Sequence, residues 1–150
     1  MSEIHIVNEY PHSIAKVWRA LTDSQLIARW TTTGQGGRPV GFATAVGTRF
    51  QYIAKPAPGW RGIVDCEVLE AREPFLFRYS WQGDADGEVT EVAYRLEPCS
   101  RGTRFTYDHT GFTGIAGFVM ARLLGRVRAK MLRVGLPAVL ADLDGEGPPG

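Results

Sequence analysis

The middle of the chain constrains the fold most, because residues 48–112 fall into five short strand-like stretches separated by turn-forming residues. The separators are residues 56–59, 72–74, 83–87 and 98–102, which are rich in Pro, Gly and Asp. Such short connections favour hairpins, so we expect an antiparallel meander. The predicted strands cover residues 48–54, 62–71, 75–82, 89–97 and 103–112.

Alternation within the last three of these strands predicts a sheet with one aromatic face. Residues two apart along a strand share a face. Large aromatic residues on one strand, opposed by Tyr and His side chains that need polar partners, favour a lined pocket, although a plain core stays open as an alternative. The residues of this face are Phe75, Phe77, Tyr79, Trp81, Val92, Tyr94, Leu96, Phe105, Tyr107 and His109.

The N-terminal third is predicted to begin with a strand over residues 3–10, followed by two short helices. The apolar residues Ile14, Val17, Trp18 and Leu21 recur at helical spacing after Pro11. A second helix should follow an N-cap at Asp23 or Ser24, with Leu26, Ile27 and Trp30 facing inward. Residues 31–47 are rich in Thr and Gly and predict a long connection.

The last third is predicted to be a long helix whose apolar face changes direction. The first stripe consists of Val119, Met120, Leu123, Leu124, Val127, Met131 and Val134. The second stripe consists of Leu136, Val139, Leu140 and Leu143. The second points nearly opposite to the first, which predicts a bend or interruption within residues 132–138, around Pro137. One domain over residues 1–144 and a disordered tail over residues 145–150 are expected.

Several segments also resemble one known superfamily. They are residues 11–23 with the following Trp30, and residues 62–70, 74–81, 90–96 and 102–112. They are similar to the START/birch-pollen-allergen-like (SRPBCC, polyketide cyclase-like) superfamily, in the branch of activators of the heat-shock-protein-ninety ATPase. The resemblance covers about residues 4–143. It implies an α+β helix-grip fold, in which a curved six-stranded antiparallel sheet wraps around the long, kinked C-terminal helix, with two short helices after strand 1.

Composition and net charge limit the classes of binding partner that we expect for this protein. The formal net charge is +1, so no polyanion such as nucleic acid is implied. No run approaches the roughly 18 apolar residues of a membrane span, and the N-terminus does not resemble an export signal. A cytoplasmic location is therefore expected, with Cys66 and Cys99 as reduced thiols.

The sequence gives no motif for a metal, a cofactor or a nucleophile. The three histidines, His5, His12 and His109, lie in separate elements without metal-ligand spacing. No GxSxG, GxGxxG or GxxxxGK[ST] stretch occurs. We therefore expect no metal and no cofactor.

The resemblance implies a cavity between helix and sheet, and the leading hypothesis is a non-enzymatic module that binds a small hydrophobic or aromatic ligand there. One alternative is a cyclase or dehydratase acting on a polyketide-like substrate, with His109 as proton shuttle and Tyr79 or Tyr107 as hydrogen-bond donor. Another is a co-chaperone-like interaction module, such as a homodimer, using a basic helix face or a sheet edge. The basic face consists of Arg122, Arg126, Lys130 and Arg133. The predicted ligand-binding residues are Phe77, Tyr79, Trp81, Tyr94, Phe105, Tyr107, His109, Met120, Leu124 and Met131.

Overall fold

The computed structural model describes residues 2–31, 37–56, 58, 61–83 and 87–145, and its main feature is an open antiparallel sheet. In chain order the strands β1 to β7 are Ser2–Tyr10, Arg38–Val40, Arg49–Ile53, Ile63–Arg72, Leu76–Gln82, Thr90–Cys99 and Gly102–Phe112. Across the sheet their order is β1-β7-β6-β5-β4-β3-β2. The strands β3 to β7 thus form the predicted meander, β2 extends it at one edge, and β1 pairs with its last strand.

The described part of the sheet has seven strands, so the prediction of six was wrong by one. The additional strand is β2, which lies within residues 31–47, where we expected only a connection. It pairs with β3 through Arg38 and Ile53, Pro39 and Tyr52, and Val40 and Gln51. Three residues are too few for alternation to be recognised, and Pro is tolerated there because β2 is an edge strand. Residues 32–36 of that segment lie outside the described residues.

Two short helices follow β1 as predicted. They are α1, Ile14–Thr22, and α2, Ser24–Thr31. The Ser13 hydroxyl accepts a hydrogen bond from the backbone N–H of Lys16, and the Asp23 carboxylate accepts one from that of Gln25. Both are N-cap contacts that satisfy amides without an intrahelical partner. The apolar faces of the helices are buried through Val17, Trp18, Ala20 and Leu21 and through Leu26, Ile27 and Trp30.

The predicted interruption of the C-terminal helix takes the form of a π-helical turn. Helix α3, Gly114–Lys130, passes through the π-turn Met131–Gly135 into helix α4, Leu136–Gly145. A π-turn contains an extra residue and therefore shifts the helical phase. This shift allows residues within the turn and after it to be buried, namely Met131, Leu132, Leu136, Val139, Leu140 and Leu143. Helix α4 packs against α1 and α2.

The expected core face of α3 differs from the observed one. Val119, Met120, Leu123 and Val134 are 45–55% exposed, and the buried residue of α3 is Ala121. The helix contacts β1 and β7 but otherwise lies over a cavity, so part of its apolar stripe has no protein surface to pack on.

The inner face of the sheet follows the predicted alternation. Phe77, Tyr79 and Trp81 of β5 are buried, as are their counterparts Tyr94, Phe105, Tyr107 and His109 on β6 and β7. Phe75 was predicted to share this face, but it is 54% exposed because it lies in the turn before β5, where strand alternation does not apply.

Three further expectations concern the C-terminal tail, membrane-spanning helices and the two cysteines. Residues 146–150 of the predicted tail lie outside the described residues. Within the described residues, no helix is long and apolar enough to cross a membrane. Cys66 and Cys99 are both free.

Candidate functional site

A cavity of about 610 Å³ lies between the inner face of the sheet and helix α3. Strands β3 to β6 contribute Tyr52, Val64, Tyr79, Trp81, Thr90 and Tyr94 to its wall, and β7 contributes Tyr107 and Phe112. Helix α2 closes one side with Trp30 and Thr31. The wall on the α3 side consists of Ala116, Gly117, Met120, Leu123, Leu124, Val127 and Arg128. A space of this size between two layers is typical of a site for a small molecule.

The structure brings six of the ten predicted site residues to the cavity wall: Tyr79, Trp81, Tyr94, Tyr107, Met120 and Leu124. The other four, Phe77, Phe105, His109 and Met131, do not line it and have no accessible surface. Alternation shows which face a side chain occupies, but not what covers it. Phe77 is covered by Trp18 and Phe42, and Phe105 by Tyr10, which leaves neither free for a ligand.

Four tyrosines line the cavity, namely Tyr52, Tyr79, Tyr94 and Tyr107. The hydroxyl groups of Tyr79 and Tyr94 lie 3.0 Å apart in a hydrogen bond, and Tyr52 interacts with the same pair. Burial raises the pKa of all three well above that of an ordinary tyrosine. They are therefore neutral at physiological pH and available as hydrogen-bond donors or acceptors.

A single arginine, Arg128, faces this group of tyrosines from α3. Its Nε donates a hydrogen bond to the Tyr107 hydroxyl over 3.1 Å, and its Nη1 lies 3.2 Å from the sulfur of Met131. Burial alone would lower the pKa of Arg128, but Tyr107 and the other cavity tyrosines raise it above the ordinary value. The guanidinium therefore stays charged inside a mostly apolar cavity.

Sequence analysis missed Arg128 because its position carried little signal. At about 100° per residue it lies about 40° beyond Leu124, at one border of the apolar stripe. Arg126 lies about as near the other border, next to Val119, and is exposed. Periodicity alone therefore does not separate Arg128 from the solvated arginines of the helix.

His109 is buried next to the cavity and hydrogen-bonded away from it. Its Nε2 lies 2.6 Å from the hydroxyl of Thr90, which itself donates to the Trp81 carbonyl oxygen over 3.0 Å. Since the Thr90 proton is used in that bond, Nε2 carries the imidazole proton and Nδ1 is unprotonated. Nδ1 has no hydrogen-bond partner among the described residues. Burial, together with the charge of Arg128, lowers the pKa of His109 to about 3, so the ring is neutral.

The cavity opens beside the beginning of α3, where its wall is made of exposed residues. Glu88 and Thr113 form one side of this mouth. The Glu88 carboxylate accepts a 3.0 Å hydrogen bond from the backbone N–H of Thr113, the residue before α3, and another from its hydroxyl group. This contact, which we call the Glu88 latch, joins the segment before β6 to the start of α3. The remaining exposed wall residues are Ala116, Met120 and Leu123.

The described part of the chain contains no group of three or more His, Cys, Asp or Glu side chains that could hold a metal ion. The buried indole Nε1 of Trp81, in the cavity wall, has no hydrogen-bond partner among the described residues. The arrangement as a whole can enclose an apolar molecule and orient it with neutral hydroxyls and one positive charge.

Comparison with known proteins gives a family match over most of the chain. Residues 11–125 match the family described as activator of Hsp90 ATPase homolog 1-like protein. No curated protein matches the sequence.

Solved bacterial structures share the fold along nearly the full chain. Protein MLL2253 from Mesorhizobium loti is 25% identical with a TM-score of 0.80, covering 94% of this chain and 98% of that one. A protein from Rhodobacter sphaeroides is 21% identical with a TM-score of 0.75, covering 95% and 93%. Protein BH1534 from Bacillus halodurans is 21% identical with a TM-score of 0.72, covering 93% and 97%.

Proposed function

The chain belongs to the activator of Hsp90 ATPase homolog 1-like family, within the SRPBCC superfamily, and from this premise we propose that it binds a small hydrophobic or aromatic molecule in the cavity under α3. Members of this superfamily bind small hydrophobic ligands. The proposal for this chain depends on its own cavity wall.

The observation that carries the proposal is the cavity of about 610 Å³ with its largely apolar wall. Its volume falls within the range of roughly 300–1,000 Å³ that is common for small-molecule sites. Burying about 200 Å² of apolar ligand surface would contribute on the order of 5 kcal/mol before the costs of association. A micromolar dissociation constant corresponds to about 8 kcal/mol, so hydrogen bonds to the polar groups of the wall or a larger buried area must supply the rest.

The enzymatic alternative is less well supported by the geometry. A cyclase or dehydratase using His109 requires that ring to reach the substrate directly or through one water molecule. His109 does not line the cavity, its Nε2 is bonded to Thr90, and its pKa is lowered to about 3. Such an imidazole is a weak base at neutral pH, which favours binding over proton transfer.

Ligand binding can be tested by titrating the protein with a panel of flavonoids, fatty acids and polycyclic aromatic compounds. Trp30 and Trp81 both line the cavity, so quenching of tryptophan fluorescence reports occupancy. We expect saturable quenching at micromolar concentrations by some members of the panel. A panel without any saturable quencher would contradict the proposal.

A pair of identical substitutions on α3 locates the binding site. Val127→Phe places a ring into the cavity, whereas Val119→Phe adds the same ring to a side chain that is 49% exposed and outside the cavity wall. We expect Val127→Phe to weaken binding by about tenfold or more, and Val119→Phe to leave it within about twofold. Equal effects of both substitutions would place the ligand elsewhere.

A further inference from the structure

Among the described residues Arg128 has no carboxylate partner, whereas two other arginines with several hydrogen bonds, Arg78 and Arg104, each have two. Arg78 is paired with Glu70 and Glu91, and Arg104 with Glu9 and Glu97. Among the described residues, the hydrogen bonds of Arg128 go only to the Tyr107 hydroxyl and to the sulfur of Met131. Both acceptors are neutral.

An unpaired charge inside a protein is costly, because desolvation removes more electrostatic free energy than neutral acceptors restore. Arg128 carries five N–H donors, and the two bonds to Tyr107 and Met131 use two of them. The cavity wall contains one carboxylate in its described part, that of Glu88, which is bonded to Thr113 at the mouth. Among the described residues, Arg128 therefore keeps unused N–H donors, and no neighbouring carboxylate balances its positive charge.

A carboxylate group on a ligand would supply acceptors for the unused N–H donors of Arg128 and a negative charge to balance the guanidinium. Guanidinium and carboxylate groups form two parallel hydrogen bonds, and the charge of each compensates for the other. The neighbouring hydroxyl group of Tyr107 accepts from Arg128 and keeps its own proton, because burial raises its pKa, so it can donate to the same oxygen atoms. The rest of the wall is largely apolar and is suited to a hydrophobic body.

We propose that the ligand is a carboxylic acid with an aromatic or aliphatic body, and that Arg128 binds its carboxylate inside the cavity while the apolar wall encloses the body. This inference rests on the proposed ligand-binding function and specifies the chemical class of the ligand. Arg128 then determines the specificity for an anionic ligand. Tyr107 holds the guanidinium in position by accepting a hydrogen bond from its Nε.

The test compares two probes with the same body, pyrenebutyric acid and pyrenebutanol, which are charged and neutral at pH 7. Their binding to the wild-type protein is followed by energy transfer from tryptophan to pyrene. We expect the acid to bind about 10- to 100-fold more tightly than the alcohol, as charge-assisted hydrogen bonds predict. Arg128→Met should remove this preference by weakening the acid, while the affinity for the alcohol changes less than about threefold.

Two further variants show whether the preference for the acid depends on the charge of residue 128, on the planar geometry of its donors, or on any change in α3. Arg128→Lys keeps the charge without the planar pair of donors, so it should retain only part of the preference for the acid. Arg126→Met removes an exposed arginine from the same helix, outside the cavity wall, and should leave both affinities unchanged. Circular dichroism establishes that each variant is folded.

The outcomes distinguish this inference from the proposed function. A preference for the acid that disappears in Arg128→Met but persists in Arg126→Met supports both. Equal binding of acid and alcohol by the wild-type protein, or a preference that survives Arg128→Met, overturns the anion site and leaves ligand binding intact. Failure of both probes and of the whole ligand panel to bind overturns the proposed function as well.

Discussion

The hydroxyl group of Tyr10 donates a 2.7 Å hydrogen bond to the carbonyl oxygen of Leu132. Tyr10 ends the edge strand β1, and Leu132 lies in the π-turn, so the bond joins the start of the fold to the point where the C-terminal helix changes phase. Both residues are buried. A π-turn disturbs the regular helical hydrogen bonds, and this side chain satisfies a carbonyl oxygen that water cannot reach.

We therefore expect Tyr10→Phe to lower the free energy of unfolding by about 1–2 kcal/mol, because it leaves a buried carbonyl oxygen without this donor. Urea unfolding at neutral pH measures the change. Tyr94→Phe is a matched control, since its hydroxyl faces the cavity and its hydrogen-bond partner is another hydroxyl, that of Tyr79. A loss at Tyr10 no larger than that at Tyr94 would contradict the importance of the π-turn contact.

Alkaline pH should unfold the protein in one steep step. All five tyrosines of the chain are buried, and burial raises the pKa of each of them. Below about pH 10 the stability is fully present, and it falls above that pH because the unfolded tyrosines ionise first. Five such groups give a slope of up to about 7 kcal/mol per pH unit.

Absorbance at 295 nm, compared with circular dichroism, provides the measurement. The phenolate signal of all five tyrosines should appear together with the loss of secondary structure. A gradual titration centred near pH 10 in the folded protein would show that the tyrosines are accessible to solvent.

His109 should make the protein less stable in mild acid. Its pKa in the folded state is lowered to about 3 by burial, against about 6.5 in the unfolded chain. Its contribution to stability is thus full above about pH 6.5, and it is lost progressively as the pH falls toward 3 because only the unfolded chain takes up the proton. Between pH 7 and pH 5 this group accounts for a loss of about 2 kcal/mol.

The variant His109→Gln isolates this effect, because its amide can donate to Thr90 but does not titrate. The difference in unfolding free energy between wild type and variant should change by about 2 kcal/mol from pH 7 to pH 5, while other titrating groups cancel. Ligand affinity at pH 7 should stay within about threefold, since His109 is not part of the cavity wall. A pH-independent difference would mean that His109 is protonated in the folded protein.

The Glu88 latch is expected to stabilise the beginning of α3 locally. Of the residues of α3, only Ala121 is buried, so the first turns depend on few tertiary contacts. Glu88→Ala should accelerate amide hydrogen exchange between Gly117 and Ala121 about fivefold, equivalent to about 1 kcal/mol. Glu97→Ala, which removes the exposed partner of Arg104, should not change exchange in this segment. Equal exchange in both variants would exclude a role for the latch.

The sheet could be predicted from sequence because its signal is local. Alternation placed Phe77, Tyr79 and Trp81 on the buried face, and short turns specified the antiparallel order. Two features lacked such a signal. The strand Arg38–Val40 is too short to show a period, and Phe75 lies just before the residue at which pairing begins.

The cavity wall was less predictable, because it depends on what packs behind each residue. Periodicity assigned Met120 and Leu123 to a core face, yet an open space beneath α3 leaves them half exposed. The same reasoning treated helical arginines as solvated and passed over Arg128, which lies at the border of the apolar stripe and lines the cavity. A hydrophobic pattern identifies the inner face of a helix, and does not distinguish packing against protein from facing an empty volume.

The pairing of β1 with β7 has a consequence for synthesis of the chain. Ile6 lies opposite Tyr107, so during synthesis β1 leaves the ribosome well before its partner, which lies about 100 residues downstream. At a translation rate of about 5–20 residues per second, the apolar side of β1 stays unpaired for roughly 5–20 s. The π-turn and α4, which complete the core, emerge later still. Nascent chains therefore expose β1 until β7 has emerged, and in this interval its unpaired edge is open to aggregation.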